Sequence, residues 1–443
     1  MKLDVYVEDR PVGVLEQVAL DKFVFSYLPH TDPSDAVSIL MPVRTESYTT
    51  KAVHPFFQIS LPEGAILNAL TSRLARQKGG KVSEMDLLEA IGHNTIGRVR
   101  VIPAGHDLPT ESEDHDVDFL LKQPPQFLAQ WFLEERLLKS GVSGAFPKGF
   151  ASEMVGPDQR GTLRTDTWII KFDDTRVPSL SFNEHWSMEV ARRAKLNTAR
   201  TVLSEDMHAL AVERFDRRPN QPALGFEDFC SLSGRPAVEK YAGSVERIIK
   251  DIKVMVRPER CAGELTAFFG AYVCCSTLRN NDAHTKNFGL LYVDPEDVRL
   301  APIYDQVTAS MYVPADSKGD SSDSMALSFT GTRKWLTADL ILKLGDLCGQ
   351  TKRQRNAVEH ALSEAMVSVA QDLVKTDLAS EFRAAAHRMV QLWSHGARVF
   401  DPKAADGLVD LAESLTPAAH AVDARATLSA MADVELESNP KFE

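Results

Sequence analysis

From Leu265 to Leu278 the chain carries no charged side chain, and directly afterwards NNDAHTKNFG, residues 280–289, sets a carboxylate, an imidazole, an ammonium and an amide between Asp282 and Asn287. The uncharged run is too short to cross a bilayer, which takes about 20 apolar residues, so it reads as a helix buried in a core. A chain that leaves its core straight into that much polarity holds a polar centre at the end of a buried rod. The next segment, FGLLYVDPEDVRLAPIYD, is two apolar runs around the turn-forming DPED and reads as a hairpin. That hairpin, from Phe288 to Tyr304, folds the chain back and brings Asp305 beside Asp282 and Asn287. Helix, loop and hairpin must therefore share one wall of one site.

The rest of the chain divides around this centre. With 443 residues, two to three domains are expected. Residues 1–105 read as an α+β unit: LDVYVEDRPVGVL and KFVFSYL alternate like half-buried strands, and GRVRVIP is another strand. PEGAILNALTSRLARQ is helical from Pro62. SEMDLLEAIG places Ser83 three residues before Asp86, a capping-box spacing, and stops at Gly92. Residues 106–120 form an acidic linker, and the polar stretch 104–118 is expected to be a solvated loop. Residues 121–220 run helix, glycine-containing turn, strand (TDTWIIKF), helix (FNEHWSMEVARRAKL) and strand (ALAVERFDRR). Residues 221–435 are mostly helical apart from the hairpin, and the polar block 315–328 reads as a mobile loop.

The polar residues suit phosphoryl transfer. That chemistry needs one carboxylate to orient a hydroxyl nucleophile, and an amide oxygen with a second carboxylate to hold Mg²⁺ over the phosphates. Asp282 and Asn287 stand as D-x-x-x-x-N, with Asp305 closing the hairpin. Protein kinases order their site in the same way, with a lysine on an upstream strand. Lys171 in WIIKF takes that place, and Glu184 or Glu189 on the following helix is its ion-pair partner, Glu184 being favoured. SGVSGAFPK supplies a glycine-containing turn whose backbone N–H groups can approach phosphate. The ordinary signatures G-x-G-x-x-G, H-R-D and D-F-G are absent.

In combination these stretches resemble the HipA-type toxin kinases. VSGAFPK looks like that family's glycine loop, WIIKF its nucleotide-lysine strand and ALAVERFDR its hinge. NDAHTKNF is similar to its catalytic loop, APIYDQVTA to its metal-binding segment and MALSFTG to the stretch beyond. VGVL, ISLPEGAI and LLEAIGHNTIGRVRVIP are similar to its N-terminal subdomain. The resemblance implies an α+β, protein-kinase-like fold related to lipid kinases. It has two lobes, an extra N-terminal α+β subdomain and a helical C-lobe; residues 121–220 become the N-lobe and 221–435 the C-lobe. It implies transfer of the γ-phosphate of ATP to serine or threonine of a protein, in characterised members a tRNA-charging enzyme, causing growth arrest. Asp282 takes the role of catalytic base, and Asn287 and Asp305 hold Mg²⁺. Lys171 contacts the phosphates, and Ser143, Gly144, Ala145, Phe146, Pro147 and Lys148 cover the nucleotide. Glu213, Arg214 and Phe215 line the adenine site, and His284, Lys286 and Tyr304 fall in nucleotide-contacting stretches. Family members often silence themselves by phosphorylating a glycine-loop serine; here Ser143 is the candidate and Ser140 the lesser one, since Gly141 stands where that serine often lies. The opposed reading of Ser143 is a backbone N–H donor to phosphate.

The resemblance also implies a helix-turn-helix antitoxin partner, with DNA reached only through it. A net charge of −12 agrees, because a chain that coats nucleic acid directly needs a basic face. The alternative is a catalytically weak, nucleotide-binding corepressor acting with such an antitoxin. A small-molecule or lipid kinase ranks last, for want of a basic amphipathic helix to hold a membrane. Five cysteines without C-x-x-C or zinc spacing, and an N-terminus without an apolar leader, point to a cytoplasmic protein.

Overall fold

Alternation builds the first sheet. In the computed structural model, which describes residues 1–61, 64–108, 117–123, 162–164, 167–173, 177–218, 221–313 and 323–417, Leu3, Val5 and Val7 of β1 (Lys2–Val7) all point into one core. Val12 and Leu15 of β2 (Arg10–Ala19) join them, with Phe23 and Phe25 of β3 (Lys22–Tyr27). The period of two puts every second residue inside. With β4 (Tyr48–Thr50) and β5 (Val99–Pro103), the antiparallel order is β4-β3-β2-β1-β5. The helix Glu84–Ile91 covers this core with Met85 and Leu88. Both arms of its capping box form: Asp86 N donates to Ser83 Oγ at 3.3 Å and Ser83 N to Asp86 Oδ2 at 2.7 Å.

A second antiparallel sheet, β6-β7-β9-β8, holds the strand read from WIIKF. Its members are β6 (Thr162–Arg164), β7 (Trp168–Phe172), β8 (Thr201–Leu203) and β9 (Ala209–Glu213). Trp168, Ile170 and Phe172 face one way and bury Leu120. Ile169 and Lys171 face the other, towards the helix Leu180–Arg193. Leu120 belongs to a short helix, Val117–Leu121, so the stretch expected as a solvated loop ends in packed structure. The apolar face of β7 is the reason, since it needs a cover; residues 109–116 lie outside the described residues.

The third part centres on the helix Pro258–Thr277, whose Phe268, Phe269, Tyr272, Val273 and Cys274 are fully buried, as the uncharged run requires. All five cysteines are free thiols. Against it packs Ser380–Ala397, and Lys352–Lys375 joins the same core from the side of Leu180–Arg193. Gly396 sits where a Cβ would stand 1.9 Å from Thr277 O, so only glycine permits that crossing. The expected hairpin is present as β11 (Gly289–Tyr292) and β12 (Val298–Leu300), antiparallel. A third strand, β10 (Gly225–Asp228), pairs with β11; its acidic sequence GFED gave no strand signal. The block 315–328, expected as a mobile loop, is partly core: Met325, Ala326 and Leu327 are buried. Val245 N donates to Ser328 O at 3.0 Å and Met325 N to Arg333 O at 2.8 Å. Apolar MAL inside a polar stretch is what drives it inward; residues 314–322 lie outside the described residues.

Buried polar contacts fasten the first sheet to the rest. Arg98 donates to Val293 O at 2.6 Å and to Ser34 O and Ala36 O at 2.8 and 3.0 Å. Glu227, fully buried on β10, accepts from Ser38 Oγ and Ile39 N at 2.7 Å each and from Tyr292 OH at 3.0 Å. Burial pushes its carboxyl from 4.5 up to about 7, against the pull of those three donors. The folded protein therefore holds a proton that the unfolded chain releases between those values, so stability falls as pH rises through this window and levels off above it. Glu227→Gln keeps an acceptor oxygen and has no proton to lose. We expect the stability of wild type relative to Glu227→Gln to fall by about 3 kcal/mol between pH 4.5 and pH 8, read from urea midpoints. A difference that stays constant across the range would show that Glu227 titrates in the folded protein as it does in the unfolded chain.

Candidate active site

Lys171 leaves β7 on the face turned to the helix Leu180–Arg193, and that helix meets it with Glu184. The ammonium lies 2.6 and 2.8 Å from the two oxygens of Glu184, whose side chain is 0% exposed, and 2.8 Å from Asp305 Oδ1. Glu189, the other partner considered, sits elsewhere, gripped by Arg192 and Arg193 at 2.6 and 2.8 Å. A buried ion pair contributes little net stability against an apolar pair of the same size. Its effect here is to hold one cation between two carboxylates from distant parts of the chain.

Asp305 is held from several sides. Asn287 Nδ2 donates to Asp305 Oδ2 at 2.8 Å. Asn287 Oδ1 accepts from His284 N at 2.9 Å, and His284 N also lies 2.7 Å from Asp282 O. One compact loop thus sets the spacing of Asp282, His284 and Asn287. Tyr304 OH donates to Lys286 O at 2.6 Å and ties the end of the hairpin to the same loop. Burial raises the Tyr304 phenol well above its ordinary value, so it stays a donor. Just beyond, Thr308 N donates to Asn183 Oδ1 at 2.7 Å and Trp393 Nε1 to Thr308 Oγ1 at 2.8 Å, which pins the segment to the Glu184 helix. Asp305 itself has φ +56°, the left-handed region that a side chain adopts at a cost of about 1 kcal/mol or more. The contacts on both sides hold that conformation.

The proposed hinge residues separate. Glu213 ends β9 exposed, and Phe215 is half-buried with its ring 5.4 Å from Tyr304. The hinge is expected to meet adenine with backbone groups, and the Arg214 side chain is taken up by contacts of its own. It is 0% exposed, bonds Asp216 at 2.7 Å and donates to Thr95 O at 2.7 Å. Burial alone would raise the Asp216 carboxyl, but Arg214 more than offsets this and holds it below the ordinary range. Gly97 N completes the joint at 2.8 Å from Asp216 Oδ2, so the Arg214 guanidinium anchors the first sheet. Ser143, Gly144, Ala145, Phe146, Pro147 and Lys148, with Ser140, lie outside the described residues. One contact was not legible in the sequence at all: Tyr241 OH donates to Asp282 Oδ1 at 2.5 Å, from 41 residues upstream.

The donor set fits a nucleotide with a hard cation. Lys171 offers N–H donors to phosphate, and Asp305, its side chain 35% exposed, offers oxygen to a divalent ion. Asn287 turns its nitrogen to Asp305 and its oxygen to His284 N, and that oxygen has a second lone pair for such an ion. Among the described residues there is no cluster of three or more His, Cys, Asp or Glu that could hold a metal ion.

The chain is similar to known proteins over most of its length. The family model for the HipA-like C-terminal domain matches residues 140–375, and that for the HipA N-terminal domain matches residues 3–102. A putative kinase of Sinorhizobium fredii, Y4dM, is 26% identical over 357 residues, covering 75% of this chain and 81% of that protein. A second from the same organism, Y4mE, is 25% identical over 335 residues, covering 70% and 78%. Among solved structures, HipA of Shewanella oneidensis MR-1, in a toxin–antitoxin complex with HipB and operator DNA, aligns with a TM-score of 0.63 at 20% identity. The alignment covers 92% of this chain and 99% of that one. The fold is thus α+β and kinase-like.

The shared cation yields a test by double-mutant cycle. Lys171→Met takes the ammonium from two carboxylates and is expected to cost about 3 kcal/mol. Lys171→Met with Glu184→Met should recover most of that in chemical denaturation. Strictly additive losses would mean that the two side chains are not coupled.

Proposed function

Because this chain belongs to the HipA family, we propose that it is an ATP- and Mg²⁺-dependent kinase that phosphorylates a serine or threonine of a cellular protein, acting as the toxin of a toxin–antitoxin pair. The observation that carries the reading is the meeting of Lys171, Glu184, Asp305 and Asn287 at one point, next to the loop that bears Asp282. Such a set suits a reaction in which positioning and charge stabilisation do nearly all the work. Asp282 accepts the proton of the attacking hydroxyl as its oxygen bonds to the γ-phosphorus, and the bond to the ADP oxygen breaks. Lys171, oriented by Glu184, holds the phosphates. Asp305 and Asn287 are the residues that would hold Mg²⁺, which when bound neutralises the phosphate charge. Phe215 and Tyr304 offer apolar surface to the base, and His284 and Lys286 border the nucleotide.

The solved HipA relative is found with HipB and DNA, and this supports an antitoxin partner for the present chain, with DNA contacted through that partner. A tRNA-charging enzyme is a substrate of the class proposed. No described helix is long and apolar enough to cross a membrane.

Labelled phosphate transfer from ATP into a lysate tests the activity. Asp282→Asn and Asp305→Asn should each lower transfer by about 10²-fold or more while the protein stays folded, and relieve growth arrest on expression. Full transfer by either variant would remove that residue from the site. Ser143 extends the same reading to self-silencing. Phosphopeptide mapping after incubation with ATP should find modification between residues 138 and 148, and an unmodified loop would reject it.

A further inference from the structure

The contact between Tyr241 and Asp282 goes beyond the shared site. The short turn Ala237–Glu239 and the residues that follow it lie against the loop that bears Asp282. Lys240 O accepts from Thr285 N at 3.2 Å and from Thr285 Oγ1 at 2.7 Å. Tyr241 O accepts from Arg333 at 2.8 Å, and Ala237 N donates to Gln58 Oε1 at 3.1 Å. At Gly243 a Cβ would stand 2.3 Å from Thr285 Cγ2, so the approach is close enough to exclude a side chain. Fastened in this way, the segment aims Tyr241 at the polar centre. Its hydroxyl donates to Asp282 Oδ1 at 2.5 Å, and its ring stands edge-on to His284, with centroids 5.1 Å apart.

An aspartate carboxylate turns readily about its last torsion, which has broad minima. A base that must meet a hydroxyl in one direction needs that rotation stopped, because a misplacement of about 1 Å costs up to about 10²-fold in rate. A phenol on one oxygen stops it and leaves the other oxygen to accept. The segment also opens to solvent where a protein hydroxyl has to arrive: Tyr241 is 41% exposed and Val238 is 88% exposed. We propose that Tyr241 is a positioning residue for Asp282, holding Oδ1 so that Oδ2 faces the phosphoacceptor hydroxyl. This rests on the phosphotransferase reading.

Tyr241→Phe keeps the ring and removes only the donor. Steady-state kinetics with ATP and a protein acceptor should show kcat lowered about 10-fold or more, with KM for ATP and the unfolding midpoint unchanged. Tyr241→Ala should lose at least as much. A Tyr241→Phe enzyme as fast as wild type, or faster, overturns the proposal, the second result by making the tyrosine a block on the base. So does a loss that falls on KM for ATP. Folded wild-type protein that transfers no phosphate to any acceptor sinks the phosphotransferase reading and this inference with it, a result distinct from an active wild type matched by Tyr241→Phe.

Discussion

One ammonium organises the site. Lys171 Nζ lies within 2.8 Å of Glu184 and Asp305, which belong to a helix 13 residues downstream and a hairpin end 134 residues downstream. Glu184 is fully buried, whereas the Asp305 side chain keeps 35% of its surface. A charge taken out of water needs an opposite charge and hydrogen bonds around it. The cation answers both needs and, in doing so, sets strand, helix and hairpin in one register. The polar centre is thus a structural joint as well as a place for chemistry.

The surroundings explain why the joint stays in place. The Asn183–Thr308–Trp393 seam fixes the segment after Asp305 to the helix that carries Glu184. The buried helix Pro258–Thr277 delivers the loop with Asp282 and Asn287 from the opposite side. The N-terminal sheet reaches the same region through Arg214, Asp216, Arg98 and Glu227, each of them buried and hydrogen-bonded. Through Gln58 it also touches the segment that carries Tyr241.

Legibility followed the strength of the local pattern. The alternation of β1 to β3, the capping box at Ser83, the buried helix before Arg279 and the DPED hairpin were plain, because one face of each meets a core. Strand β10 was hidden, since Glu227 and Asp228 look like surface residues until their partners are in place. The burial of the Arg214 side chain was hidden in the same way, since only Asp216 and Thr95 O, once in place, turn it inward. Leu120 and Met325–Leu327 were apolar islands in polar stretches, and the core decided for the islands.

The sequence by itself determined the order of the chemistry: a lysine on a strand, an acid on the next helix, D-x-x-x-x-N after an apolar run, and an aspartate at the end of a hairpin. It did so because each lies within one local element whose period or turn residues reveal it. Only the tertiary structure set Lys171 between Glu184 and Asp305, turned the Arg214 side chain to Asp216 and Thr95 O, and brought Tyr241 to Asp282. Those choices depend on which buried charge finds which partner, and partners separated by tens of residues meet only once the cores between them have packed.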